Sequence, residues 1–453
     1  MTNSSHMGDN PSGQTDTPHP AVAGSPRAYA VVLLLVTMFI LYGSLFPFEY
    51  REQTYPGGPV GYLLSTWQDW DHRGDLLSNI LLYSPFGFFG TLALPSRIAA
   101  QRRALVTIVA GIVLSCGIEI TQFHDVGRVT SMGDVYANAI GSGIGSLAAA
   151  SIGASMRWPF VRELAGHPAA SLLFVMFFGY RLYPYVPTID LHKYWHAVRP
   201  MLLAPSLPPG ELTRFVITWL LIAVVVHALY GFHRFLLLFP LLCGCEFLGK
   251  ILIIDNALTL TDVVGAGAAF LLWTLLLHRM PARFAILALA FVGMITVQRL
   301  QPFQFAATPH GFGWVPLGSF MRDAIGPAIR TFCEDFYEYG GLIWLLGRAG
   351  VPLPIGTALT ATLLFATDYA DCWLAGRSAE ITDAVMALGI GGAFALLRHA
   401  ARRGSGPTGS NTAAAREHAR LAEAILAQHG VAPAPPARRG RKHAPYVPPH
   451  LRG

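Results

Sequence analysis

Long apolar segments recur from residue 29 to residue 398, and they constrain this chain more than any other feature. A helix that crosses the hydrocarbon core of a bilayer needs roughly 20 mostly apolar residues. Twelve candidate stretches can be drawn: 29–46, 76–95, 103–122, 134–154, 168–183, 214–231, 234–250, 260–277, 282–298, 335–348, 352–368 and 383–398. The expected fold is therefore an all-α integral membrane protein with about 12 transmembrane helices. Composition agrees. Hydrophobic residues make up 53% of the chain and charged residues 13%, whereas soluble domains carry roughly 25% charged residues.

The net charge is +6, with lysine only at Lys193, Lys250 and Lys442. The arginines sit in short loops and in the C-terminal tail, which reads as membrane topology and not as a nucleic-acid surface. Arg27, then Arg97, Arg102 and Arg103, then Arg157 and Arg162 fall between alternate spans. His233 and Arg234, then Arg279 and Arg283, then Arg348, and last Arg398, Arg402 and Arg403 continue the alternation. Twelve spans put all of them on one face. The positive-inside rule makes that face cytoplasmic and puts both termini there, as for a multi-pass protein of a bacterial inner membrane. Arg51, Arg73, Arg181 and Lys193 fall on the other side.

Residues 1–26 are rich in Gly, Pro, Ser and Thr and read as a disordered lead. Residues 399–453 read as a basic, Pro-rich cytoplasmic tail, with a helix candidate at 413–428 from its Ala, Leu and Glu content. The stretches 49–73 and 185–212 hold Trp, Tyr and Pro, which suits interfacial or re-entrant segments.

Within the apolar segments the polar residues repeat. Glu119, Gln122, Arg128 and Asp134 follow an E-x2-Q-x5-R-x5-D spacing, and Asp368, Asp371, Arg377 and Asp383 keep the same separations. Glu246 and Asp262 form a middle echo with one extra residue and no arginine in that place. "Leu45-Phe-Pro-Phe", "Leu182-Tyr-Pro-Tyr" and "Leu300-Gln-Pro-Phe" each close a span. The pattern predicts three four-helix repeats, over residues 27–157, 158–280 and 281–398.

An ionisable side chain inside a span is costly enough to be a functional hypothesis by default. Glu119 and Gln122 share one helix face, as do Asp134, Asn138, Gly141 and Gly145. Asp75 and Asn79 form a further i, i+4 pair on the second span. By the charge map these groups gather at the extracytoplasmic end. The structural alternatives are that Asp134 caps its helix and that Arg128 pairs with Glu119. Glu246, Asp262, Asp368, Asp371, Arg377 and Asp383 are secondary positions, because both later echoes carry alanine, Ala266 and Ala387, where the first has Asn138. No residues show zinc-ligand spacing, and no phosphate loop, dinucleotide fingerprint or nucleophile elbow occurs, so no metal or cofactor is expected. His192 and His196 sit at i, i+4 beside Tyr194 and Trp195, which suits a wet interface better than a metal site.

The block Asp75, Asn79, Pro85, Gly87, followed by Glu119 and Gln122 and then Gly127, Arg128, Ser131, Asp134, Asn138 and Gly141, resembles the VanZ-like family. The family pattern reads D-x3-N-x5-P-x-G, E-x2-Q, then G-R-x2-S-x2-D-x3-N-x2-G, and residues 30–155 match it throughout. The family is named for an accessory protein of teicoplanin resistance. The resemblance therefore implies an envelope role towards a lipid-linked, glycan or lipoglycopeptide ligand, and it implies no reaction. On this expectation Asp75, Asn79, Glu119, Gln122, Arg128, Asp134 and Asn138 form the site, with the lipid bilayer as the certain partner. A proton-coupled transporter of an envelope precursor and a structural membrane scaffold are the alternatives.

Overall fold

A computed structural model describes residues 26–404, apart from 47, 69–72, 127, 156–162, 165 and 319–324. The N-terminal lead and the tail helix at 413–428 lie outside the described residues. Within them the chain is helical, and no β-ladder longer than a single bridge occurs.

The helices run in order α1 (Pro26–Leu45), α2 (Gly58–Ser65), α3 (Arg73–Ala93), α4 (Ala100–Gln122) and α5 (Met132–Ser155). Then come α6 (Pro168–Arg181), α7 (Leu191–Leu203), α8 (Pro209–Tyr230), α9 (Phe232–Leu252) and α10 (Leu260–Leu275). The last four are α11 (Arg283–Leu300), α12 (Ile325–Arg348), α13 (Leu353–Ala370) and α14 (Thr382–Gly404). Among the described residues six segments are long and apolar enough to cross a membrane: Leu76–Ala93, Ala100–Gln122, Pro209–Tyr230, Phe232–Leu252, Leu260–Arg279 and Arg283–Leu300. Tyr29–Leu45 and Pro168–Arg181 are shorter apolar helices.

Every stretch drawn from the sequence lies on a helix, and the largest difference is at α12. The apolar reading begins at residue 335, but the helix begins at Ile325. The ten residues before 335 carry Arg330 and Glu334, which break the apolar run without breaking the helix. The two Trp- and Tyr-bearing stretches contain the short helices α2 and α7. Helix α7 starts where the Asp190 carboxylate accepts from the His192 N–H at 2.9 Å. It leaves Leu191, Trp195, Leu202 and Leu203 exposed, an apolar face suited to lying along a membrane surface.

Packing is tightest between α3 and α5. A Cβ on Gly141 would collide with the Ile80 carbonyl, one on Gly145 with that of Ser84, and one on Gly87 with that of Ser142. These glycines bring the two backbones together, as small residues do between membrane helices. A small apolar cluster of Ile40, Tyr83, Phe86 and Ile118 completes this region. The larger core is centred on α8, in which every residue from Thr218 to Val226 is buried. Trp219, Phe177, Phe235, Phe291, Tyr337 and Phe394 pack into that core from α8, α6, α9, α11, α12 and α14. A helix apolar on all sides belongs at the centre of such a bundle.

Three turns have the same form. The Phe48 N–H donates to the Leu45 carbonyl at 2.8 Å, Tyr185 to Leu182 at 2.9 Å and Phe303 to Leu300 at 2.9 Å. The donor residues have φ of 63°, 63° and 60°. In the second and third turns the proline is cis, the type VI geometry. Beyond each turn the chain makes one antiparallel bridge: Tyr50 with Asp125, Pro187 with Ile253 and Phe305 with Leu374. Two backbone hydrogen bonds flank each bridge, as in Arg51 to His124 at 2.7 Å and Val126 to Glu49 at 2.8 Å.

Candidate functional site

The polar residues of α1–α5 meet where α1 and α4 end and α3 and α5 begin. Glu119 lies in the last turn of α4 and is 2% exposed. Its Oε2 accepts the Ser131 N–H at 2.9 Å, and its carbonyl accepts the Thr130 hydroxyl at 3.0 Å. Ser131 Oγ in turn accepts the Gly133 N–H at 3.0 Å, and Thr66 Oγ1 accepts that of Met132 at 3.0 Å. The first N–H groups of α5 are thus satisfied by side chains.

Asp134, in the first turn of α5, is half-buried, and its Oδ1 accepts from Asn79 Nδ2 at 2.5 Å. This bond joins α3 to α5. One turn deeper, the buried Asn138 donates to Ser115 Oγ at 2.9 Å and joins α5 to α4. Gln122 donates to the Ser44 carbonyl at 2.7 Å. Arg128 donates to the Gly43 carbonyl at 3.0 Å and, through Nε and Nη2, to that of Phe46 at 3.3 and 3.0 Å. Pairing of Arg128 with Glu119, the structural alternative, is not what these contacts show: the guanidinium closes the end of α1. The carbonyls in the last turn of a helix have no partner within it, which is why they draw the cation. The side chain of Asp75 lies outside the described residues.

At the corner built by α6, α9 and α10, Arg181 donates from Nε to Glu246 Oε1 at 2.7 Å and from Nη2 to Asp262 Oδ1 at 2.6 Å. Lys250 Nζ joins Asp262 at 2.7 Å and approaches Glu246 at 3.7 Å. All four side chains are buried. Asp262 also completes a capping box: its Oδ2 accepts the Thr259 N–H at 3.0 Å, and Thr259 Oγ1 accepts the Asp262 N–H at 3.2 Å. Phe215 lies under the Arg181 guanidinium at 4.6 Å. The side chain of Asn256 donates to the Tyr183 carbonyl at 2.7 Å.

The corner built by α11, α13 and α14 is similar. Arg299 pairs with Asp368 at 2.8 Å and with Asp383, and lies 3.4 Å from the Tyr339 hydroxyl. Arg377 donates to the carbonyls of Gln298 and Gln301, both at 2.8 Å. Asp371 is buried beside them, and its Oδ1 has no hydrogen-bond partner among the described residues.

Sequence reasoning missed Arg181, Arg299, Lys250 and Asn256. A signal for the arginines was present: each stands three residues before the proline that closes its span, Pro184 or Pro302. In the first corner that place is taken by Ser44. Asn256 donates to the Tyr183 carbonyl, just before Pro184, as Arg128 does to that of Phe46, just before Pro47. Among the described residues no three His, Cys, Asp or Glu side chains gather as a metal site. His192 and His196 face each other with their Nε2 atoms 3.2 Å apart on the exposed side of α7.

Comparison with known proteins gives one family: the family model described as VanZ/LLP1 matches residues 29–153. No curated protein and no solved structure matches the chain.

Proposed function

Residues 29–153 are VanZ-like, and from that premise we propose that this membrane protein binds a cell-envelope lipid, glycan or lipoglycopeptide at the corner that holds Asn79, Glu119 and Asp134. The observation that carries the reading is the contact of Asn79 with Asp134 at 2.5 Å. It holds a half-buried carboxylate in one orientation between two helices, with Glu119 buried at the adjoining end of α4. An oriented, partly accessible carboxylate accepts hydrogen bonds from sugar hydroxyls and from the ammonium of an aminated ligand. The proposal is stated as binding, which the oriented carboxylate by itself supports.

The same proposal takes the chain as three units, 27–157, 158–280 and 281–398, with the termini cytoplasmic and the three corners on the extracytoplasmic side of an inner membrane. Three features support the division: the recurring turns, the recurring bridges, and the arginine or asparagine contact to the carbonyl just before the proline of each turn. Asn79, Phe215 and Tyr339 occupy matching places beside the three corners.

The test is Asp134→Asn and Asp134→Ala in a host exposed to lipoglycopeptide antibiotics. Membrane accumulation should persist while susceptibility or envelope lipid composition changes. A normally accumulating variant with unchanged susceptibility and lipid composition would sink the binding reading. A scaffold role is the second reading, and a specific observation favours it: Gln122, Arg128, Asn256 and Arg377 all donate to backbone carbonyls, which is the work of interhelical ties. It predicts that the same Asp134 variants accumulate poorly or unfold at lower temperature in detergent.

A further inference from the structure

A cavity of about 120 Å³ opens beside the second corner, where α6, α8 and α9 meet the first half of α12. Its wall includes Arg181, Arg214, Lys250 and Arg330, with Asn256 and one carboxylate, Glu334. Four cations thus face one acid across a small space.

The arrangement of their partners makes this more than a set of ion pairs. Glu246 and Asp262, which neutralise Arg181 and Lys250, are fully buried and form no part of the cavity wall. The cations stand between those acids and the opening. Arg181 uses Nε and Nη2 in its ion pairs, and Nη1 carries no hydrogen bond among the described residues. Arg214 engages Glu334 and Glu338 through Nη2 alone. Arg330 is exposed and has no ion-pair or hydrogen-bond partner among the described residues. Guanidinium N–H donors that converge from three helices, with an ammonium among them, match the oxygens of a phosphate group.

We infer that this cavity binds a phosphate-bearing anion. The cavity lies close to α7, whose Lys193 donates to the carbonyls of Lys250 and Ile251 at 2.9 and 2.6 Å. Since α7 has the exposed apolar face of an interfacial helix, the site sits at headgroup level, where a phospholipid or a soluble phosphate compound has access. The inference is independent of the Asp134 reading, since it concerns other residues and another part of the chain.

The experiment uses the full-length protein in phosphatidylcholine nanodiscs and compares it with its Arg330→Gln and Arg330→Glu variants. Arg330 is exposed and has no ion pair among the described residues, so both variants are expected to keep the fold. One arm titrates inorganic phosphate and pyrophosphate by calorimetry. The other measures retention of phosphatidic acid and phosphatidylglycerol by native mass spectrometry. Wild-type protein is expected to bind in one arm at least, with affinity reduced roughly tenfold in Arg330→Gln and further in Arg330→Glu. Binding only in the lipid arm assigns a headgroup, and binding in the phosphate arm assigns a soluble anion. Arg97→Gln, an exposed change in the loop between α3 and α4, should bind as wild type does. The inference is overturned if the wild type binds in neither arm, or if Arg330→Glu binds as well as the wild type.

Discussion

Arg181 Nη2 donates to Asp262 Oδ1 at 2.6 Å, fixing the last residue of α6 to the first turn of α10. The same guanidinium holds Glu246 of α9, so three helices meet on one buried cation. Removal of one partner from a buried ion group leaves the others uncompensated, at a cost of about 3–5 kcal/mol. Arg181→Ala should therefore lower the detergent melting temperature by many degrees. Arg181→Met combined with Glu246→Gln should recover much of that loss, as followed by fluorescence-detected size exclusion after heating. A double variant as unstable as Arg181→Ala would show that the charges are not what holds this corner.

The glycines between α3 and α5 give a second expectation. Gly145→Leu places a side chain where the Ser84 carbonyl now lies. Over-packing of this kind costs about 1–3 kcal/mol or more when backbone must move. Membrane accumulation should fall. Gly143→Leu, at a position with open space around its Cα, should leave it unchanged and so serves as the control.

Arg128 satisfies two carbonyls at the end of α1. Arg128→Ala leaves them without that donor, at about 1–3 kcal/mol for each group that water does not reach. Arg128→Lys should recover only part of this, because an ammonium does not reproduce the planar fork of the guanidinium. Hydrogen exchange at the end of α1 and in the loop before α5 is the direct measurement, and both should exchange faster in either variant.

Asp125 supplies a pH dependence. It is fully buried in the loop after α4, with the Val126 backbone N–H beside its carboxylate. Burial raises its pKa above the ordinary aspartate value, and Arg128 pulls it back only in part. A raised folded-state pKa means that the folded protein binds more protons than the unfolded chain between the two values. Stability therefore falls as pH rises from the unfolded pKa through the folded one. Asp125→Asn should flatten that part of the profile and raise the melting temperature more at pH 7.5 than at pH 4.5. An equal shift at both pH values would mean that ionisation of Asp125 plays no part.

The membrane class and the helix positions were legible because they rest on apolar runs, which survive without knowledge of neighbours. The start of α12 was not, because Arg330 and Glu334 interrupt the run and the partner of Glu334, Arg214, lies on α8. At the candidate site, Glu119, Asp134 and Asn79 were legible from helical spacing. The direction of Arg128 was not, because its partners are backbone carbonyls and carry no residue-type signature. Arg181 and Arg299 went unread because each lies in a different span from the acids it joins, and only the fold brings them together.

The contacts that close the three corners join residues far apart in synthesis. Arg128 lies 82 residues from Phe46, Arg181 lies 81 residues from Asp262, and Arg299 lies 84 residues from Asp383. At about 5–20 residues per second, roughly 4–16 s pass between emergence of one partner and of the other. For that interval a helix ending in Arg181 or Arg299 rests at the membrane with its cation unmatched by the acids that later hold it. The order of the chain thus sets a timetable for insertion.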